Sequence, residues 1–349
     1  MKLCIIAAAC LAVVSCASIS LEDLEFHAWK LKFGKVYESP EEEAYRKNIW
    51  LSSRRRVLAH NILADQGIHT YRRGMNQFSD MDEKEYRLTL HEKQMTSDFL
   101  KQMSEANALS AVQQGGAVLP HSVDWRNKGC VSRVRQQGPC ASCWAFSAVS
   151  AVESHTCIKH KKPLTELSVQ QLVDCAWPYG TQGCRGGWTN MAFDYMQSKG
   201  LVNETDYPYR YWNFPCHFPQ DVPRDMIAAK VTGFLQVPPG DESALKDVVA
   251  KEGPVTVSVD ARHISFKDYT TGVYHESACS SDGSNPTHVM LVVGYGTDVI
   301  KTGSQVKRMN YWLVKNSWDV TWGDQGYIKM ARDMGNNCGI ASYAVYPTV

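Results

Sequence analysis

The chain has 349 residues, 44% of them hydrophobic, and a formal net charge of +1. That length accommodates two domains, or one domain with a sizeable accessory segment, around a buried core. The near balance of charge excludes nucleic acid or an anionic membrane surface as the main partner, and the densest basic run, Arg54–Arg56, fits a solvated helix face.

Residues 1–17 have the layout of a secretory signal. Met1-Lys2 begins it, an apolar run continues through Val14, and Ser15-Cys16-Ala17 ends it with small residues, so cleavage is expected after Ala17. The apolar run is well short of the roughly 20 residues a membrane span requires. The mature chain is therefore expected in the secretory pathway, in a lysosome or endosome or outside the cell, where disulfides persist.

Residues 18–118 lack cysteine and carry a charge-rich helix-forming stretch from Glu41 to Asn61. Glu42, Arg46, Trp50, Ser53, Val57 and Asn61 recur at helical spacing and share one side, which predicts a long helix. A shorter pattern, Gly74-Met75-Asn76-Gln77-Phe78-Ser79-Asp80, follows. The polar run Gln113-Gln114-Gly115-Gly116-Ala117, followed by Pro120, is the kind of segment that proteases cut.

From residue 119 onward the chain is rich in Cys, Trp and Gly. A helix is predicted from Cys143 to about Lys161, with strands at Val255–Val259, His288–Val293, Tyr311–Val314 and Tyr327–Met330. A helical half followed by a β half predicts two lobes facing one another. Residues 297–310 look like a lengthened surface loop between strands.

Of twelve cysteines, three lie in the signal and nine between Cys130 and Cys338. An odd count in an oxidising compartment implies a free thiol. Cys143, at the first turn of its helix, would meet unpaired N–H groups and the positive end of the dipole, which stabilise a thiolate. His288, 145 residues on, offers a base and acid, and Asn316, 173 residues on, offers a carboxamide to fix its tautomer. Gln137 can donate to a developing oxyanion together with the Cys143 N–H. Taken alone, Cys143 and His288 would each fit a buried core residue, and Cys140 with Cys143 could form a redox C-x-x-C pair or half of a zinc site. No second C-x-x-C completes four ligands, and no flanking βαβ pattern is present.

On these residues the chain resembles papain-like cysteine peptidases, and within them the cathepsin L, S and K group. The likeness runs through the Glu42 to Asn61 stripe, Gly74 to Asp80, Ser122-Val123-Asp124-Trp125-Arg126, Gln137 to Phe146, Gly183-Cys184-Arg185-Gly186-Gly187, Val259-Asp260-Ala261-Arg262-His263, and Asn316 through Tyr327. It implies an α+β papain-like two-lobe fold, a helical lobe and a β-barrel-like lobe, with an N-terminal helical propeptide. The propeptide, residues 18–118, would run backwards through the cleft as an inhibitor and be removed near Leu119, leaving a mature domain at 119–349. Disulfides are implied at Cys140–Cys184, Cys175–Cys216 and Cys279–Cys338.

The same resemblance makes Gly186 and Gly187 the partners of an extended substrate backbone. It makes Trp318 a shield over the His288–Asn316 contact and Trp322 a border of the primed side. Trp188, Thr189, Ser258, Pro286, Val289 and Tyr343 would line the pocket for the second residue before the scissile bond. That lining predicts an aliphatic preference, with Val289 and Tyr343 shortening the pocket. Four residues depart from the family pattern: Ala141, Thr287, Val289 and Asp319. Cys130, directly after Gly129 as in cathepsin S-like enzymes, has no cysteine near Ala228-Ala229-Lys230-Val231 to meet, so Cys130 and Cys157 either bridge each other or are both free.

The reading is a cysteine endopeptidase made as a secreted zymogen, acting as a monomer on protein and peptide substrates without cofactor or metal, and open to cystatin-like inhibitors. The alternative is a catalytically silent peptide-binding homologue. No His-bearing insertion near Gly183 suggests an exopeptidase. Asn203-Glu204-Thr205 is the one glycosylation sequon free of an intervening Pro.

Overall fold

The computed structural model describes residues 20–90, 118–218, 220–284, 286–302 and 305–349. The signal, the polar linker run 113–117 and the rest of residues 91–117 of the expected propeptide lie outside them.

In the N-terminal segment α1 (Leu21–Phe33) begins on a reciprocal Ser20–Asp23 capping box and ends at Gly34 in the left-handed region. The long helix α2 (Pro40–Asp65) starts on Ser39 with Pro40 in its first turn. Phe26, Trp29 and Trp50 form the small core between them. The polar members of the α2 stripe hold other elements. Arg46 meets both carboxylate oxygens of Glu85 in α3 (Glu83–Leu88), and Asn61 donates to Arg73 O and accepts from Arg73 N in β1 (Tyr71–Arg73). The mixture of charge and carboxamide on one helix face is thus a set of tertiary anchors.

Strand β1 pairs antiparallel with a strand of the larger C-terminal body, so the N-terminal segment extends the main sheet. That sheet also contains, in chain order, β2 (Val123–Asp124), β3 (Gly233–Gln236), β4 (Val255–Val259), β5 (Tyr269–Tyr274), β6 (His288–Thr302), β7 (Gln305–Lys315), β8 (Tyr327–Ala331) and β9 (Ala344–Thr348). Its order is β1-β5-β8-β7-β6-β4-β9-β3, with β2 attached to β6. Alternation along β6 feeds two cores. Val289, Leu291 and Val293 pack with α4 (Cys143–His160), α5 (Val169–Cys175) and α6 (Thr189–Lys199), whereas Met290 and Val292 join Val255, Val257, Trp312 and Val314 on the other side. The helices α7 (Glu242–Lys251) and α8 (Ile264–Lys267) complete the second lobe. Two lobes therefore share one sheet, each burying one face of it.

The stretch 297–310 is not a loop. β6 and β7 continue as a hairpin whose pairing runs to Thr302 opposite Gln305. Met309 packs on Val273 and Ala331, and Asp298 forms an ion pair with Lys329, so side-chain contacts hold the ribbon to the sheet. The three implied disulfides are present, together with Cys130–Cys157, which resolves the choice left open by the sequence. Cys143 is the free cysteine among the described residues. With Cys140 bound to Cys184, neither a C-x-x-C redox pair nor a zinc site can form.

Two outcomes follow from these contacts. Replacing Cys130 and Cys157 with Ser should lower the unfolding free energy by about 3 kcal/mol, read from denaturant melts of the oxidised proteins, because the bridge restricts the unfolded chain. Unchanged melts would show that it contributes nothing. The second concerns His60, whose Nε2 lies 3.0 Å from Tyr71 O and whose ring stacks on His69. Burial, and next the nearby Arg73, push His60 down from the ordinary 6.5 to about 4. Its folded value lies below its unfolded one, so the stability it lends is present above pH 6.5 and is lost as pH falls toward 4. His60→Gln keeps an N–H for Tyr71 O without titrating, and at pH 5 the loss of residues 18–118 expected from the sequence should be about tenfold slower than in wild type. Equal conversion rates would remove His60 from the acid response.

Candidate active site

Each of the four residues expected to do chemistry sits at an element boundary. Cys143 is the first residue of α4, His288 the first of β6, and Asn316 follows the last residue of β7. Gln137 lies on the segment bridged to Trp318 through Gln136. Such positions fix a side chain by its backbone while leaving its head group free to react.

His288 Nε2 lies 2.7 Å from Asn316 Oδ1. That oxygen also accepts from Ser317 N at 2.8 Å, which fixes the carboxamide's orientation, since a backbone N–H can only donate. Nε2 therefore carries the proton, and Nδ1, buried and without a hydrogen-bond partner among the described residues, is the basic nitrogen. The Trp318 ring stands 4.6 Å from the imidazole and Trp322 packs edge-on against Trp318 at 5.1 Å. These aromatics exclude water from the His288–Asn316 bond.

The Cys143 sulfur is met by the backbone N–H groups of Val289, Trp144 and Cys143 itself. The first of these belongs to the residue after His288, which brings the thiol to the start of β6. Burial nevertheless raises the thiol to about 11 and lowers His288 to about 4, with the Asn316 bond opposing the latter. In this closed form the thiol is protonated below about 11 and the imidazole neutral above about 4, so both are uncharged between those limits.

Gln137 is fixed on three sides. Its N donates to Ser317 O at 2.8 Å, its Oε1 accepts from Ser317 Oγ at 2.7 Å, and its Nε2 donates one hydrogen to Cys140 O at 3.0 Å. The second amide hydrogen stays available beside the Cys143 N–H, the arrangement an oxyanion requires. Ser317 is a supporting residue the sequence reading missed, although its position directly after Asn316 was a signal.

The N-terminal segment docks on the wall beside this site. Gln77 donates to Trp318 O at 2.6 Å, Phe78 stacks edge-on against Trp318 at 5.1 Å, and Tyr86 OH donates to Ala261 O at 2.7 Å. Asn76 donates to Lys267 O while Lys267 donates to the carbonyls of Phe78 and Met81. The pattern from Gly74 to Asp80 is thus a docking surface on the wall that carries Trp318. At Gly74 itself, an added Cβ would stand 2.5 Å from Thr270 Cγ2.

On the opposite wall the expectation for the paired glycines needs correcting. Gly186 already donates to Gly183 O and accepts from Gln182 N within a tight turn, so its backbone groups are engaged. Gly187 makes no backbone hydrogen bond among the described residues, and a Cβ there would stand 2.7 Å from the Trp144 ring. Of the expected pocket residues, Ser258 and Val289 are register partners on β4 and β6, Trp188 packs edge-on against Tyr343 at 5.6 Å, and Ser258, Pro286 and Tyr343 line one recess. Tyr343 OH donates to Asn190 Oδ1 at 2.8 Å. The Thr189 hydroxyl is buried 3.3 Å from Thr256 Oγ1 rather than facing an open surface. Asn203 is half-buried, with its amide donating to Asp206.

The departures have local reasons. Thr287 Oγ1 accepts from Ala261 N, while Asp319 takes a left-handed φ of 64° and accepts from Val320 N through its own carboxylate, a conformation Asp tolerates better than bulkier residues. Ala141 keeps a negative φ, so its methyl adds no backbone strain.

The family described as papain family cysteine protease matches residues 119–348, and that described as cathepsin propeptide inhibitor domain (I29) matches residues 26–86. The chain belongs to the papain family of cysteine proteases. It is 42% identical to cathepsin L of Sarcophaga peregrina over 93% of this chain and 92% of that protein, and 41% identical to cathepsin S of Bos taurus over 94% and 93%. Its structure is similar to that of digestive procathepsin L 3 from the larval midgut of Tenebrio molitor, with a TM-score of 0.82 and 35% identity over 95% of this chain and all of that one. The protein is therefore a cysteine peptidase with a propeptide of the inhibitory kind. Among the described residues no helix is long and apolar enough to cross a membrane.

The closed, uncharged pair has a measurable consequence. A thiol held near 11 is only about one part in ten thousand ionised at pH 7, so iodoacetamide should alkylate Cys143 in the zymogen slowly. Removing the propeptide should raise that rate at least about 100-fold at the same pH. Equal rates before and after would show that the propeptide does not control thiolate formation.

Proposed function

We propose that the mature chain, beginning near Leu119, is an endopeptidase whose nucleophile is Cys143 and whose acid and base is His288. The observation that carries this reading is the free Cys143 at a helix N-terminus, with an imidazole whose tautomer is set by Asn316 so that its basic nitrogen has no partner among the described residues.

The proton of Cys143 passes to His288 Nδ1, and the sulfur attacks the scissile carbonyl carbon. The carbonyl oxygen takes the negative charge and is held by Gln137 Nε2 and Cys143 N. As the C–N bond breaks, His288 returns its proton to the leaving amine, and a thioester remains on Cys143. Water then loses a proton to His288 and attacks the thioester, the sulfur leaves, and the acid product departs. Gly187 pairs with the substrate backbone, and Trp188, Val289 and Tyr343 favour an aliphatic side chain two positions before the cut. Residues 1–17 direct the zymogen into the secretory pathway and are removed there, and acidity then loosens the propeptide. Cystatin-like inhibitors would compete for the same cleft. The silent-homologue alternative loses ground because no catalytic group is missing and an inhibitory propeptide implies an activity to inhibit.

Acidifying the purified precursor should shorten it to the mature size, release activity on fluorogenic dipeptides with Leu or Val at the second position in preference to Arg or Glu, and permit labelling by a thiol-directed epoxide. Cys143→Ala should abolish turnover and labelling. Maturation of the wild type without turnover or labelling would sink the peptidase mechanism, and activity in the Ala variant would move the nucleophile elsewhere.

A further inference from the structure

Tyr209 stands outside every motif discussed so far, yet its hydroxyl touches both arms of the oxyanion site. Tyr209 OH lies 2.8 Å from Gln137 O and 2.7 Å from Ser142 Oγ, and the ring is held edge-on by Phe146 at 4.8 Å. A carbonyl can only accept, so Tyr209 donates to Gln137 O, and its single hydrogen is then engaged. Ser142 must therefore donate to Tyr209 at 2.7 Å, with Cys140 O, at 3.4 Å, a more distant acceptor. The direction of the whole relay, Ser142 to Tyr209 to Gln137, follows from one carbonyl.

Each end of that relay carries one oxyanion donor. Gln137 supplies Nε2, and Ser142 is the residue whose peptide bond ends in the Cys143 N–H. The hydroxyl thus spans the two segments that must stay at a fixed separation for both donors to reach one oxygen. A second effect arises at Ser142. This residue occupies the N-cap of α4, where a Ser side chain ordinarily accepts from an amide of the first turn, but here it makes no such bond. Its hydroxyl is turned to Tyr209 instead, so the relay rather than a cap fixes where the Ser142–Cys143 peptide lies. Tyr211 adds support from outside, its ring lying so close to Gly138 that a Cβ there would stand 2.7 Å from it. Tyr211 itself holds a left-handed φ of 63°.

We propose that Tyr209 is a positioning residue for the oxyanion site, setting the spacing between Gln137 Nε2 and the Cys143 N–H. This rests on the assignment of Cys143 and Gln137 made above. Tyr209 touches no reacting atom, so its contribution passes through Gln137 and the Cys143 amide.

The test is a double-mutant cycle on the mature enzyme with a dipeptidyl amide substrate. Losing one oxyanion donor outright costs about 100-fold or more in kcat, so misplacing one by Tyr209→Phe should lower kcat by about tenfold with KM within about twofold. In a Gln137→Ala background the same change should lower kcat by less than about threefold, because the donor it positions is gone. The pH profile of iodoacetamide alkylation, a displacement that forms no oxyanion, should stay as in wild type. Equal losses in the two backgrounds, or a shifted alkylation profile, would overturn the assignment. If Tyr209→Phe does not fold, Ser142→Ala cuts the relay at its other end. It should lower kcat about threefold in wild type and leave the Gln137→Ala enzyme unchanged, and equal losses would again refute the relay. A wild-type enzyme without turnover would instead refute the nucleophile assignment, which is a different result from an active wild type whose variants show no coupling.

Discussion

Leu291 pairs with Lys315 and Val292 with Val314, and this antiparallel register between β6 and β7 determines where the chemistry sits. His288 begins the first strand and Asn316 follows the second, so two residues 28 apart in sequence come to 2.7 Å without either needing a flexible arm. A slip of one residue would turn His288 to the other face of the sheet and separate the pair. The alternation that fixes the register is the one that divides β6 between two cores. The demand for two buried faces and the demand for one hydrogen bond are met by the same residues.

The helical lobe is joined to this strand pair by buried charge as well as by apolar contact. Lys315, one residue before Asn316, donates to Ser132 and Ser150, and Ser132 in turn donates to Glu153. Glu153 also pairs with Arg135 and accepts from Leu167 N. Burial lowers Lys315 to about 7, opposed by Glu153. Such a cluster gives little net stability, but removing one member would leave the others uncompensated, so it specifies one arrangement of the lobes rather than strengthening any arrangement. The cluster thereby fixes the helix of Cys143 against the strand end of Asn316.

The side chains proposed as catalytic were legible in the sequence because acyl-transfer chemistry admits few residue types, and a free Cys, a His and a carboxamide could be picked out at long separations before any contact was known. The α2 stripe was legible as a period, whereas its partners Glu85 and Arg73 were not, since tertiary anchors leave no periodic trace. Gly186 was misread for a related reason. Its backbone groups are engaged by a turn whose partners, Gln182 and Gly183, carry no pattern of their own. The ribbon at 297–310 was hidden because its strand character comes from contacts with Val273, Ala331 and Lys329, which are nonlocal. Cys130–Cys157 depends on a distance between two segments, and Tyr209 acts through a single hydroxyl far along the chain. Neither can be inferred from neighbouring residues.

The attachment of β1 to β5 also bears on what happens after activation. In the zymogen Tyr71–Arg73 covers the outer edge of the sheet. Once the propeptide leaves, the N–H and C=O groups of that edge face water or another chain, and an open edge is a template for further strand addition. The exposed run is short, its pairing is interrupted by a register shift, and Gly272 within it has a φ of 87° that departs from a flat strand. A flat, continuous edge would pair readily with other copies of a concentrated mature enzyme. This irregular one accepts a covalently tethered neighbour, for which the entropy of association is already met, and offers a poor grip to a free one.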